Sequence, residues 1–234
     1  MSLRGVARNV ARQSHDKIAS SLAMTNELYR RINLKKILPF FSYLFHPIFI
    51  PVYAALFYFF YTDATFENKE KYFVLLQIVI VTIILPLLFF FLLRAAGKVD
   101  SIMISKIEHR KFPLVILCFL TILLLRKSIT LERYPEFHFF FLGGLFSTIL
   151  ALLLLFFQTK ASLHMLTISA LTLFIIGLSI HNQSQNITII SFLVLMNGFV
   201  ASSRLEMKAH TPKELGIGFL LGVIPQLLLW RFWL

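Results

Sequence analysis

Seven apolar runs alternate with short polar breaks along the chain, at roughly 37–61, 72–96, 112–126, 135–158, 163–180, 187–202 and 214–233. A stretch of about 20 apolar residues is long enough to cross the hydrocarbon core of a bilayer. Hydrocarbon offers no partner to an unpaired peptide group, so each run predicts a helix. The pattern therefore predicts an all-α fold, a polytopic transmembrane helix bundle of about seven spans. The third run is short and sits at the lower margin for a span. Pro47 and Pro51 predict a bend in the first helix. Residues 1–36 differ in character: they are polar and basic, and Arg4, Arg8 and Arg12 recur on one helical face. They read as a basic amphipathic tail lying on anionic lipid, with an organellar transit segment as the other reading. The chain thus divides into a tail, 1–36, and a transmembrane domain, 37–234.

Composition sharpens this picture. Of 234 residues, 58% are hydrophobic and 26 are Phe. A soluble domain would not carry so much apolar sequence. There are 23 Lys and Arg against 11 Asp and Glu, a formal net charge of +12. In a soluble protein that excess would point to nucleic acid. Here the cations gather in the breaks, where topology and lipid headgroups account for them, so no nucleic-acid partner is expected. Breaks on the N-terminal side of the membrane hold seventeen Lys and Arg, and those on the other side hold six. The positive-inside rule then places the N-terminus in the cytoplasm. Cys118 is the single cysteine and cannot form an intrachain disulfide.

No Asp, Glu, Lys or Arg lies deep inside a run, which argues against an ion-coupled transporter. His46, in "FHPIFIP", reads as a hydrogen-bonding group within the bundle, and His138 as interfacial. The sequence holds no metal-ligand cluster, glycine-rich nucleotide loop or redox motif. Asn186-Ile187-Thr188 matches a glycosylation sequon, but it abuts a run.

Three breaks stand out: "SKIEHRKFP" at 105–113, "KASLH" at 160–164 and "SSRLEMKAHTPKELG" at 202–216. Seven spans put all three on one face of the membrane. Together they supply histidines, cations, serines and a carboxylate, an inventory suited to phosphoryl transfer. Plainer readings exist for each. Thr211-Pro212-Lys213-Glu214 has the form of a capping box, Ser162 that of an N-cap, and Arg204 and Lys208 that of interfacial anchors.

Ser203-Arg204, five residues, His210, three residues, Glu214 resembles the third motif of the type-2 phosphatidic acid phosphatase superfamily, in which Asp stands at the last position. "LGIGFLLG" is similar to the helix that follows that motif. "KASLH" resembles the family's Pro-Ser-Gly-His, with Ser162 and His164 retained. "SKIEHRKFP" stands where Lys, six residues, Arg-Pro should be. The order fits, with 47 residues between Pro113 and Ala161 and 38 between His164 and Ser203. The resemblance spans about residues 95–222 and is that of a divergent bacterial member, in the inner membrane.

The resemblance implies a covalent mechanism without metal or other cofactor. It makes His210 the nucleophile, Glu214 its orienting partner and His164 the general acid. Arg204 and Ser162 would hold phosphate oxygens. The chain departs from the pattern at several positions. Glu214 replaces Asp, Leu163 replaces Gly and Ala161 replaces Pro. Phe112 and Ser105 occupy the slots of the two family cations. Lys106 and Arg110, four residues apart on one helical face, would rebuild that clamp. The leading expectation is a membrane-embedded hydrolase of a lipid phosphomonoester or diphosphate, with a phospholipid or isoprenyl phosphate as substrate. The alternative is a catalytically degenerate relative that binds lipid headgroups or serves membrane assembly, and a small-molecule transporter is the third reading.

Overall fold

The computed structural model describes residues 13–24, 34–61, 66–95, 97 and 107–234, and falls into two compact units, 1–38 and 39–234. Lys106 and the cations of the first twelve residues lie outside the described residues. All described secondary structure is helical. In the first unit, α1 covers residues 13–24. Helix α2, Leu34–Leu44, is followed by α3, Ile50–Phe60; α4, Asn68–Val79, continues through a π turn, Ile80–Ile84, into α5, Leu85–Ala95. Then come α6 (Ile107–Lys127), α7 (Pro135–Phe156), α8 (Leu163–His181), α9 (Ile187–Glu206) and α10 (Pro212–Trp230).

Five of these segments are long and apolar enough to cross a membrane: Asn68–Ala95, Pro135–Phe156, Leu163–His181, Ile187–Glu206 and Pro212–Trp230. They mark the chain as a multi-pass membrane protein, and large side chains such as Phe89, Phe91, Leu92, Phe192 and Leu228 face outward as a lipid-exposed belt requires. The first and third apolar runs differ from the rest. The first is divided at residues 45–49 into two short helices, a full break where a bend was expected. The third lies in α6, whose uncharged stretch is confined between Arg110-Lys111 and Arg126-Lys127.

The π turn has a local cause. Pro86 has no N–H, and its ring crowds the carbonyl four residues back, Thr82. Widening the helix relieves the clash, and the Leu85 N–H reaches the Ile80 carbonyl five residues away. Three helix ends, after α7, α8 and α9, close on a residue with positive φ that is not glycine: Gln158, Gln183 and Lys208. Each makes the paired bonds of a Schellman turn. At α9, Lys208 N–H reaches the Leu205 carbonyl at 2.9 Å and Ala209 N–H the Arg204 carbonyl at 3.1 Å. That turn reverses the chain sharply and delivers His210 beside the end of α9.

Helix α8 is the central element, buried along most of its length and packed by α3, α7, α9 and α10. Small residues let α10 approach it. A Cβ at Gly218 would collide with the Ser162 carbonyl oxygen, and one at Gly222 with the Leu166 carbonyl and the Ser169 hydroxyl. This spacing of two glycines four apart permits backbone contact between membrane helices. Hydroxyls then bridge the helices: Ser169 donates to the Phe219 carbonyl at 3.2 Å and Ser147 of α7 to the Leu221 carbonyl at 2.7 Å. Gly218→Ala should push α10 off the start of α8 and cost about 1–3 kcal/mol of overpacking. A thermal melt in detergent checks this: the midpoint should fall, and an unchanged midpoint would show that the contact is dispensable.

Carboxylates sit at the opposite end of the bundle. Glu136 accepts from Tyr58 Oη at 2.8 Å and pairs with His181 Nε2 at 3.3 Å, and Glu70 pairs with Arg133 and Tyr134. His181, the last residue of α8, is therefore engaged by α7. His138 bonds the Ile129 carbonyl at 2.6 Å.

Candidate functional site

The N-terminal ends of α8 and α10 and the C-terminal ends of α2 and α9 converge at one end of the bundle. Ser162 caps α8, its hydroxyl accepting from Met165 N–H at 3.5 Å. Thr211 and Glu214 form the capping box of α10. Both plain readings of the sequence are thus realised. They do not displace the other geometry. Glu214 Oε2 accepts from Thr211 N–H at 3.3 Å and also from His210 Nδ1 at 2.8 Å. One oxygen both closes the helix and orients the imidazole. A carboxylate accepts, so Nδ1 carries the proton and Nε2 holds the lone pair. The Ser162 N–H donates to the Glu214 carbonyl at 3.1 Å, so the second break is tied directly to the third.

His210 is 8% exposed. Burial holds its pKa below the usual histidine value; the Glu214 bond opposes this, and Arg110 and Arg204 add to the depression. The balance favours the neutral form of the ring, the form that can act as a nucleophile.

Arg204 is the most informative side chain. It is 5% exposed, and its Nε has no hydrogen-bond partner among the described residues. Its Nη1 meets the soft Met207 sulfur at 3.9 Å. No carboxylate pairs with it among the described residues. A buried cation left in this state is costly, and an anion is the partner that would repay it. Its charge acts on His46, His164 and His210 together. Arg110 from α6 acts on Arg204 and His210 and is drawn to Glu214. Phe112, at the family cation's slot, is instead 56% exposed. Of the two substitute cations expected from sequence, Arg110 reaches the site and Lys106 lies outside the described residues.

His210, Glu214, His164, Ser162, Arg204 and Arg110 are therefore brought to one place. Sequence reading missed two further groups. Ser42 Oγ lies 2.6 Å from Ser203 Oγ, and its carbonyl accepts from His164 Nε2 at 3.2 Å. The His46 ring stands perpendicular to that of His164, with 5.1 Å between centroids. The "FHP" triplet at a proline break was the only signal for either. Among the described residues no group of three or more potential ligands could hold a metal.

The site groups two arginines, three imidazoles and one carboxylate around buried serines. That constellation can bind an oxyanion and offer it a nucleophile and a proton donor. Comparison of the chain with family models, with curated proteins and with solved structures finds no match.

Proposed function

We propose that the protein is a membrane-embedded, metal-independent phosphatase of the type-2 phosphatidic acid phosphatase kind, acting on a lipid phosphomonoester or diphosphate. The observation that carries this reading is the buried Arg204, without a carboxylate partner among the described residues, beside the His210–Glu214 pair. Arg204 and Arg110 hold the phosphate oxygens, and the buried Ser162 adds its hydroxyl. His210 Nε2 attacks phosphorus, the N–P bond forms, and the bond from phosphorus to the leaving oxygen breaks. His164 gives that oxygen a proton. Water then attacks the phosphohistidine, its proton passes to His164, and inorganic phosphate leaves. The lipid class follows from the site's place at the end of a bundle of membrane helices. The reading includes seven spans, with α2–α3 and α6 crossing beside the five longer helices, an N-terminus in the cytoplasm of a bacterium and the site on that face of the inner membrane.

A headgroup-binding protein without turnover is the second reading. It is favoured by one observation: His164 commits Nε2 to the Ser42 carbonyl. Detergent-purified protein offered phosphatidic acid, phosphatidylglycerophosphate and isoprenyl diphosphate, each labelled in the terminal phosphate, separates the two. The hydrolase releases phosphate and, on rapid quench, carries an acid-labile, alkali-stable label on the peptide containing His210. Saturable binding with neither release nor label would establish the binding protein in its place.

A further inference from the structure

Two features of α2's end follow from Pro47. In a continued helix the His46 N–H would bond the Ser42 carbonyl, and residue 47 would bond Tyr43. Pro47 has no N–H to give. The helix tightens, His46 N–H turns to the Tyr43 carbonyl at 3.3 Å, and the preceding bond runs from Phe45 N–H to Phe41 at 3.0 Å. The Ser42 carbonyl is passed over by both. It is the carbonyl that takes His164 Nε2–H at 3.2 Å.

The elbow that carries this carbonyl is held in place. Phe41 stacks on Phe199 of α9 with centroids 4.6 Å apart, and the Ser42 hydroxyl meets Ser203. The Ile48 N–H approaches His46 Nδ1 at 3.4 Å, and Phe49 edges the same ring at 6.4 Å. His46 then closes on His164 from the side. No motif in the second or third break supplies such support for His164, whereas His210 has Glu214.

We infer that the elbow between α2 and α3 belongs to the site: the break at Pro47 frees the Ser42 carbonyl to hold His164 through Nε2–H, and the His46 ring fixes the imidazole's orientation. Ser42 and His46 are positioning residues. Their consequence is chemical, because an imidazole held through Nε2–H has Nδ1 as the atom that exchanges a proton with the leaving group. The titratable and charged groups acting on His164 are Arg204 from α9, His46 from the elbow and His210 from the turn before α10. The catalytic consequence rests on the proposed hydrolase; the positioning itself does not.

Three variants test the inference with two readouts. Pro47→Ala restores the missing N–H, favours a continuous helix and withdraws the Ser42 carbonyl. His46→Ala removes the ring, and His46→Phe restores its bulk without its nitrogens. In nitrogen-15 histidine spectra, the wild type should show a slowly exchanging Nε2–H on His164, lost in Pro47→Ala. In turnover, Pro47→Ala and His46→Ala should lower kcat about tenfold or more with KM little changed, and His46→Phe should recover most of it. A His164 Nε2–H that exchanges freely in the wild type, or persists unchanged in Pro47→Ala, overturns the inference. A wild type that releases no phosphate defeats the hydrolase reading instead, and the exchange measurement still decides the elbow.

Discussion

If the protein is the proposed hydrolase, His210→Ala should abolish phosphate release. A nucleophile that forms the covalent intermediate cannot be bypassed by binding alone, so kcat should fall by about 10⁴-fold or more. The covalent label should vanish with it. Glu214→Gln is the informative partner: it keeps an acceptor for Nδ1–H but removes the charge that favours the developing positive charge on the ring. Orienting partners of this kind contribute about 10–100-fold. The pH profile carries the sign of the environment. Attack needs neutral imidazole, and burial, Arg110 and Arg204 together lower the His210 pKa despite Glu214. The neutral form therefore persists to more acid pH than for a free imidazole. The acid limb of kcat/KM assigned to His210 should lie below about 6.5. Retained release in His210→Ala, or an acid limb well above that value, would remove His210 from the nucleophile's role.

Arg204→Leu separates function from stability. If Arg204 holds phosphate, its loss should lower kcat/KM by about 10³-fold, since a planar fork binding two oxygens is not replaced by solvent. Arg204→Lys should recover only part, because a point charge does not reproduce the fork. The stability expectation runs the other way. Arg204 is 5% exposed and its Nε has no hydrogen-bond partner among the described residues, so the folded protein bears a desolvation cost. Replacing a buried charged group by a packed apolar one is often neutral or stabilising by about 1–4 kcal/mol. The unliganded Arg204→Leu protein should melt no lower than the wild type. Orthovanadate or phosphate should raise the wild-type midpoint and leave the variant's unmoved. A variant that loses both activity and fold would show a structural arginine and leave the anion site without its carrier.

The turn after α9 shows how much of the site was readable in advance. Ser203, Arg204, His210 and Glu214 lie within one short break, so their types and spacing stand in the sequence, and the capping box at Thr211 is a local pattern. Their common environment is not local. Arg204 at a helix end is equally consistent with a headgroup anchor in water, and only the tertiary packing around it makes it buried. Ser42 was illegible for the same reason: a serine near a helix end carries no mark of a partner 161 residues away. His46 was read as a bundle hydrogen bond, and its neighbour turned out to be the second-break histidine.

What the sequence by itself determined is the solvent and the local conformation. Apolar runs demand helices in lipid, Pro47 and Pro86 forbid particular backbone bonds, and Thr211, Ser162 and Glu214 close helix ends. These are properties of a few adjacent residues. The tertiary structure alone decided the meeting of the breaks. Gly218 and Gly222 let α10 touch the backbone of α8, which sets the His210–Glu214 pair against Ser162 and His164. The elbow at Pro47 then brings Ser42 and His46 onto the same imidazole. Such contacts depend on which helix faces lie together, and in a bundle that is settled by the fit of all the helices at once.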